Sequence, residues 1–164
     1  MSIENNQHLD GSFSFETVPS SGPPQVFWGM SENTYCTMLH LAQFAHVVFP
    51  GGGYVLPIVM WAVNKEQSQT IDEHGKHVLN WLISEFIYSI VLMFVGVILF
   101  LVLFIAAMII SEGQAAPLMM PLMFLACIPH LCLAVLGFAF PIIGAVKANK
   151  GICWGYPLTI KFIK

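Results

Sequence analysis

The sequence contains no arginine, and only 9% of its 164 residues are charged. A soluble domain usually carries about 25% charged residues, so this chain has too few charges to cover a surface that faces water. Nucleic-acid binding needs clustered basic residues to neutralise phosphates, and the net charge of -3 argues against it. With 57% of its residues hydrophobic, the chain is expected to place apolar side chains in contact with lipid.

The sequence also lacks the motifs of common catalytic sites. It has no nucleophile elbow, phosphate-binding loop, zinc-protease pair or haem-attachment motif. Its four cysteines lie in or beside apolar segments, without the dense spacing of a secreted disulfide scaffold: Cys36, Cys127, Cys132 and Cys153. We therefore expect neither enzymatic activity nor a cofactor or metal.

What the sequence does contain is a series of long uncharged runs. The runs from Phe86 to Ser111 and from Ala115 to Val146 are each long enough to span a bilayer as a helix. An earlier run, 35–64, is interrupted by Pro50 and three glycines, which disfavour a continuous helix. Residues 32–164 are thus predicted to form an all-α integral membrane helical bundle. Its four helices are expected at about 34–49, 54–64, 77–111 and 116–147, the first two short and joined by the Pro/Gly-rich break.

The polar segments predict the orientation of the chain. Residues 1–31 are rich in Ser, Pro, Asn and Gly and are expected to form a disordered tail. Lysines occupy the polar linker 65–76 and the short basic C-terminal tail, whereas the turn 111–114 has none. The positive-inside rule then places the linker and the C-terminus in the cytoplasm. The N-terminus is outside if 35–64 crosses once and inside if it folds back.

Polar residues at helical spacing mark the entry to the third helix. They form a stripe at the membrane edge, where polar groups are costly unless they are paired or wet. The candidate polar site consists of His74, His77, Asn80, Ser84, Glu85 and Tyr88. The plain alternative is a set of ordinary interfacial residues. If the stripe faces the break at 50–53, whose backbone groups also need partners, the two would enclose a small polar cavity.

Several blocks of the chain resemble a known family of small bacterial membrane proteins of unknown function. That family is commonly grouped with the twenty-kilodalton subunit of the chloroplast inner-envelope translocon (Tic). The resemblance implies a helical bundle in the bacterial inner membrane with both termini cytoplasmic, and it implies no reaction. The blocks that carry it are Met38–Leu41, Pro50–Gly52, Leu56–Trp61, Asp72–Trp81, Ile143–Gly151 and Tyr156–Ile163.

Three functions are compatible with these features. The first is a non-enzymatic accessory or scaffold component of a membrane complex, whose partners are the lipid bilayer and other membrane proteins or copies of itself. The second is a small channel, translocase or transporter subunit that uses a polar cavity near 72–88. The third is a metal-dependent membrane enzyme built on His74 and His77 with nearby carboxylates, although a metal site needs three or four ligands.

Overall fold

A computed structural model of the protein describes residues 26–110 and 116–164. Most of the predicted N-terminal tail, residues 1–25, and the turn at 111–114 lie outside the described residues. The described chain is a membrane helical bundle of four α-helices, as expected from the sequence. They are α1 (Glu32–Leu41), α2 (Gly52–Asn64), α3 (Gln69–Ile110) and α4 (Ala116–Asn149), with a short 3-10 helix, Ala42–Val47, after α1.

The last six residues of the predicted tail are structured. Strands β1 (Val26–Phe27) and β2 (Met30–Ser31) pair as an antiparallel hairpin. Trp28 and Gly29 form its two-residue loop with φ of 51° and 79°, angles that suit the twist of a tight hairpin. Phe27 is only 3% exposed and packs on Tyr35 of α1. The prediction of a disordered tail up to residue 31 is therefore wrong for 26–31, because burial of Phe27 ties the hairpin to the core.

The chain folds back at the predicted break instead of continuing as one helix. Gly51 has φ of 84°, a left-handed conformation that side chains rarely adopt. The start of α1 then lies beside the end of α2, where the Tyr35 hydroxyl donates to the Met60 carbonyl at 2.8 Å and accepts from the Asn64 amide at 2.7 Å. The segment 35–64 is thus a hairpin whose two ends lie on the same side.

The third helix begins earlier than the sequence suggests. The polar segment 65–76 was expected to be a linker, but α3 already starts at Gln69. Ser68 Oγ accepts a bond from the backbone N–H of Ile71 at 3.2 Å, as an N-cap side chain does. Trp61 Nε1 donates to Asp72 at 2.9 Å, and Gly75 lets the Trp61 indole lie directly on the helix. These tertiary contacts stabilise a first turn that composition alone favours as a loop.

The molecule has two parts, and the packing of side chains distinguishes them. We call residues 26–85 with 137–164 the cap, and residues 86–110 with 116–136 the stalk. The cap holds nearly all the buried side chains, including Trp81, Leu39 and Phe140. In the described part of the stalk only Ala107 is buried. The two stalk segments belong to α3 and α4, which are long and apolar enough to cross a membrane.

The apolar tip of the α1–α2 hairpin points toward the stalk. Phe44 packs on Phe138 with ring centroids 5.1 Å apart, and Tyr54 packs on Phe86 at 6.4 Å. Val47 and Val48 at the tip are 79% and 85% exposed. The α1–α2 hairpin thus places an exposed apolar tip beside the first residues of the stalk.

Candidate functional site

Half of the predicted polar site binds the C-terminal tail of the same chain. Asn80 is 3% exposed, and its amide nitrogen donates to the Ile163 carbonyl at 2.9 Å. Its Oδ1 accepts from the backbone N–H groups of Phe162 at 2.9 Å and Ile163 at 2.8 Å. Asn80 therefore pairs with the extended tail much as a neighbouring strand would.

Two further members of the stripe continue this attachment along α3. The Ser84 hydroxyl accepts from the N–H of Ile160 at 2.9 Å and donates to the Asn80 carbonyl. The Tyr88 hydroxyl donates to the Leu158 carbonyl at 2.7 Å. Asn80, Ser84 and Tyr88 thus satisfy backbone groups of residues 158–163 that would otherwise lack partners.

The two histidines of the predicted site face different surroundings. His74 is 1% exposed and lies in the core, whereas His77 lies beside Gly155 on a cavity of about 450 Å³ at the cap surface. Glu73 and Lys161 line the same surface cavity. His74 and His77 therefore do not converge, and within residues 26–110 and 116–164 no group of three or more His, Cys, Asp or Glu side chains is placed to hold a metal.

A buried chain of polar side chains runs through the cap. His40 Nε2 lies 2.9 Å from His74 Nδ1, and His40 Nδ1 lies 2.5 Å from the Tyr156 hydroxyl. The Gln43 amide nitrogen donates to that hydroxyl at 3.0 Å and to the His40 carbonyl at 3.1 Å. The chain joins α1, α3 and the C-terminal tail in the middle of the cap.

The donors and acceptors of this chain follow from counting protons. Both amide hydrogens of Gln43 are used, so the Tyr156 hydroxyl has its own proton free to donate to His40 Nδ1. His40 then carries its proton on Nε2 and donates to His74 Nδ1. Along the side-chain series Gln43, Tyr156, His40 and His74, each group donates to the next one, and both imidazoles are neutral.

Burial keeps His40 and Tyr156 in these neutral forms. Desolvation, with smaller contributions from the nearby His74 and His77, lowers the pKa of His40 from 6.5 to about 3. Desolvation likewise raises the pKa of the Tyr156 phenol above 10.0, although the bond from Gln43 acts in the opposite direction. Neither group carries charge near neutral pH, as the proton count requires.

Glu85 lies apart from the rest of the predicted site, in a second cavity at the junction of cap and stalk. This junction cavity has a volume of about 340 Å³. Gln43, His46, Gly53 and Gly137 line it together with Glu85. Gly53 belongs to the Pro/Gly-rich break, so Glu85 is a member of the candidate polar site that shares a cavity with that break.

Of the buried chain, only His74 was among the predicted site residues. His40 lies in the last turn of α1 and Gln43 lies three residues later in the 3-10 helix, and this helical spacing was a usable signal for a shared polar face. Tyr156 lies 116 residues from His40, and nothing in the sequence indicates that the two meet. Another histidine, His130, lines an apolar hollow of about 460 Å³ between the stalk helices together with Cys127.

The fold and these sites define a class of protein: a small α-helical membrane protein with an apolar stalk and a hydrogen-bonded cap that includes the α1–α2 hairpin. The model of one protein family matches residues 31–163, which is nearly the whole of the described structure. The chain belongs to that family, the magnetosome magnetite crystal formation protein family (MamF/MmsF). No curated protein and no solved structure is significantly similar to the chain.

This finding corrects the resemblance drawn from the sequence. The matching family is a small bacterial membrane-protein family, as expected, but the grouping with the Tic translocon subunit is wrong. The link to protein import is therefore withdrawn. The membrane location itself agrees with the two long apolar helices and with a magnetosome family.

Proposed function

We propose that this protein is a non-enzymatic accessory component of the magnetosome membrane and takes part in magnetite crystal formation. The match to a family of that description over residues 31–163 carries the proposal, because it includes both the cap and the stalk. The proposal assigns the cap to contacts with other membrane proteins or further copies of this chain, and the stalk to anchoring.

The bonding of the polar groups supports an accessory role. Asn80, His40 and Tyr156 are buried and bonded to other parts of the same chain, so their polarity stabilises the cap. Side chains bonded in this way hold a defined shape, which a scaffold needs. The stalk presents exposed apolar side chains such as Phe94 and Ile98, which suit lipid or the apolar helices of partner proteins.

We also propose that the cap faces the cytoplasm. The lysines of residues 65–76 and of the C-terminal tail all belong to the cap, and the positive-inside rule favours the cytoplasmic side for them. The alternative of a channel or transporter gains no support from the hollow between the stalk helices, since its described lining is almost entirely apolar.

Gene deletion in a magnetite-forming bacterium tests the proposal. We expect the deletion strain to form crystals of altered size or shape in electron micrographs, and the intact gene to restore them. Asn80→Leu, which detaches the tail from the cap, should restore them poorly, whereas Leu99→Ala on the exposed stalk surface should restore them fully. Unchanged crystals in the deletion strain would refute the proposal.

A further inference from the structure

The junction cavity contains a carboxylate without a partner. Glu85 is half-buried one residue before the uncharged stalk begins, and its carboxylate lies directly on Gly137 of α4. Within the described chain, Glu85 makes no ion pair, its carboxylate accepts no hydrogen bond, and no lysine lines the cavity. A half-buried charge is costly unless it is paired, so this site favours a positively charged occupant.

A second group of the cavity is held in a form that can bind a metal. His46 Nδ1 donates to the Gln43 carbonyl at 2.8 Å, which leaves the lone pair of Nε2 free in the neutral ring. A backbone carbonyl that fixes the tautomer in this way is a regular feature around histidines that bind metals. Gly53 keeps the start of α2 close to this ring, because a side chain there would collide with the Gln43 carbonyl.

A third group adds an acceptor. The two bonds from the Gln43 amide nitrogen fix the orientation of the side chain, so Oε1 is the atom left over. Gln43 is 5% exposed, and its Oε1 has no hydrogen-bond partner, which is unusual for a buried oxygen. Glu85, His46 and Gln43 thus present acceptor atoms around one cavity, and among its described lining residues the Tyr54 hydroxyl is the side-chain donor not already used in a bond named above.

We propose that the junction cavity binds a divalent first-row transition-metal cation, with the Glu85 carboxylate and His46 Nε2 as its protein ligands. Water completes the coordination, and Gln43 Oε1 accepts a hydrogen bond from a metal-bound water. The mixed donor set decides the class of ion, because imidazole suits iron, nickel, copper and zinc, whereas Mg²⁺ and Ca²⁺ prefer oxygen ligands. With two protein ligands the site is open, and its ion is exchangeable.

The size of the cavity agrees with this occupant. A volume of about 340 Å³ accommodates an ion with several waters, each of which takes roughly 30 Å³. The site goes beyond the proposed role in crystal formation and does not depend on it. A binding measurement on the purified protein therefore tests the site separately from any measurement of crystals.

The test uses the full chain in detergent, purified without a histidine tag. Anaerobic titration calorimetry with Fe²⁺ should show saturable binding of one ion per chain, and Mg²⁺ at the same concentration should not displace it. Glu85→Gln and His46→Leu should each weaken Fe²⁺ binding by at least about tenfold. Glu73→Gln, a carboxylate on the surface cavity, is the matched control and should bind as the unaltered protein does.

Two further measurements keep the test decisive if a variant folds poorly. Electron spin-echo spectroscopy of the unaltered protein loaded with Mn²⁺ should detect one coordinating imidazole nitrogen. Gly137→Ala keeps both ligand residues, Glu85 and His46, in the sequence. It puts a methyl group where the Glu85 carboxylate lies, so it should displace that carboxylate and weaken binding. Absence of saturable Fe²⁺ binding, absence of the nitrogen signal, or equal binding by Glu85→Gln would each overturn the proposal.

Discussion

His40 Nε2 of α1 and His74 Nδ1 of α3 lie 2.9 Å apart, and neither ring is more than 1% exposed. The bond joins the α1–α2 hairpin to the helix that continues into the stalk. Because both imidazoles are neutral in this bond, its stability depends on pH. Protonation of His40 would remove the acceptor for Tyr156 and place a charge in the core.

The cap is expected to lose stability in acid. The pKa of His40 is about 3 in the folded protein and 6.5 in the unfolded chain. Above about pH 6.5 neither state binds the proton, and the full stability is present. As the pH falls from there toward 3, the unfolded chain takes up a proton that the folded protein refuses, so the free energy of unfolding decreases. Thermal unfolding in detergent between about pH 7.5 and pH 4.5 measures this decrease.

Two variants test the assignment of this pH dependence. His40→Gln should reduce the slope of the melting temperature against pH. Leu99→Ala on the exposed stalk surface should leave it unchanged, because this substitution removes no titratable group. A slope that is the same in all three proteins would contradict the assignment to His40.

Asn80→Leu is expected to detach the C-terminal tail. The substitution removes three hydrogen bonds to Phe162 and Ile163 and leaves their backbone groups without partners, at a cost of about 1–3 kcal/mol. The tail should then become accessible to trypsin after Lys161, which mass spectrometry of limited digests detects. Leu99→Ala in the stalk should digest at the rate of the unaltered protein. Equal rates for all three would show that the tail is held by other contacts.

Two glycines of α3 provide a matched test of packing. A methyl group at Gly75 would lie 2.6 Å from Cγ of the Trp61 indole, so Gly75→Ala should cost about 1–3 kcal/mol despite the better helix propensity of alanine. At Gly96 the nearest atom is 3.8 Å away, so Gly96→Ala should be neutral or slightly stabilising. Thermal unfolding of the two variants measures the difference in stability. A Gly75→Ala protein as stable as the unaltered one would mean that Trp61 can move aside.

The N-terminal hairpin should contribute to stability through one residue. Phe27 is 3% exposed and Trp28 is 54% exposed. Phe27→Ala should lower the free energy of unfolding by about 3 kcal/mol, whereas Trp28→Ala should have a much smaller effect. Both rings contact Tyr35, so denaturant titration of the two variants compares a buried with an exposed contact, and similar values would contradict the larger contribution assigned to Phe27.

The same-side arrangement of the cap can be tested by chemical labelling. In a background without Cys36, Cys127 and Cys132, the exposed native Cys153 and an introduced Glu66→Cys should react with an impermeant maleimide from one side of the membrane only. We expect that side to be the cytoplasm. Reaction of the two positions from opposite sides would contradict a cap that lies on one side of the membrane.

The parts of the fold that depend on local chemistry were predictable from the sequence. Pro50 and the glycines after it indicate a break because they act on their own backbone, and the uncharged runs indicate spans by length alone. The start of α3 at Gln69 was not predictable, since it depends on Trp61 packing against Gly75. Tertiary contacts override local composition there.

In the candidate site, too, the local spacing of residues was predictable and their distant partners were not. The helical spacing of Asn80, Ser84 and Tyr88 correctly grouped them on one face, but their partners lie about 70 to 83 residues later in the chain. Likewise, His40 and Tyr156 meet only after the whole fold is formed. No periodicity in a sequence encodes such distant pairings, so the buried chain required the structure.

The return of the hairpin at Gly51 also has a consequence for biosynthesis. In the orientation proposed above, with the cap in the cytoplasm, the cap does not have to cross the bilayer, because 35–64 folds back and the C-terminal tail is bonded to α3. Between the two long helices, only the sequence 111–115 would then be moved to the far side. That sequence contains a single charged residue, Glu112, so the translocated segment would be short and nearly uncharged. The ribosome would in that case deliver both long helices to the insertion machinery as one hairpin, while the cap assembles on the side where it is made.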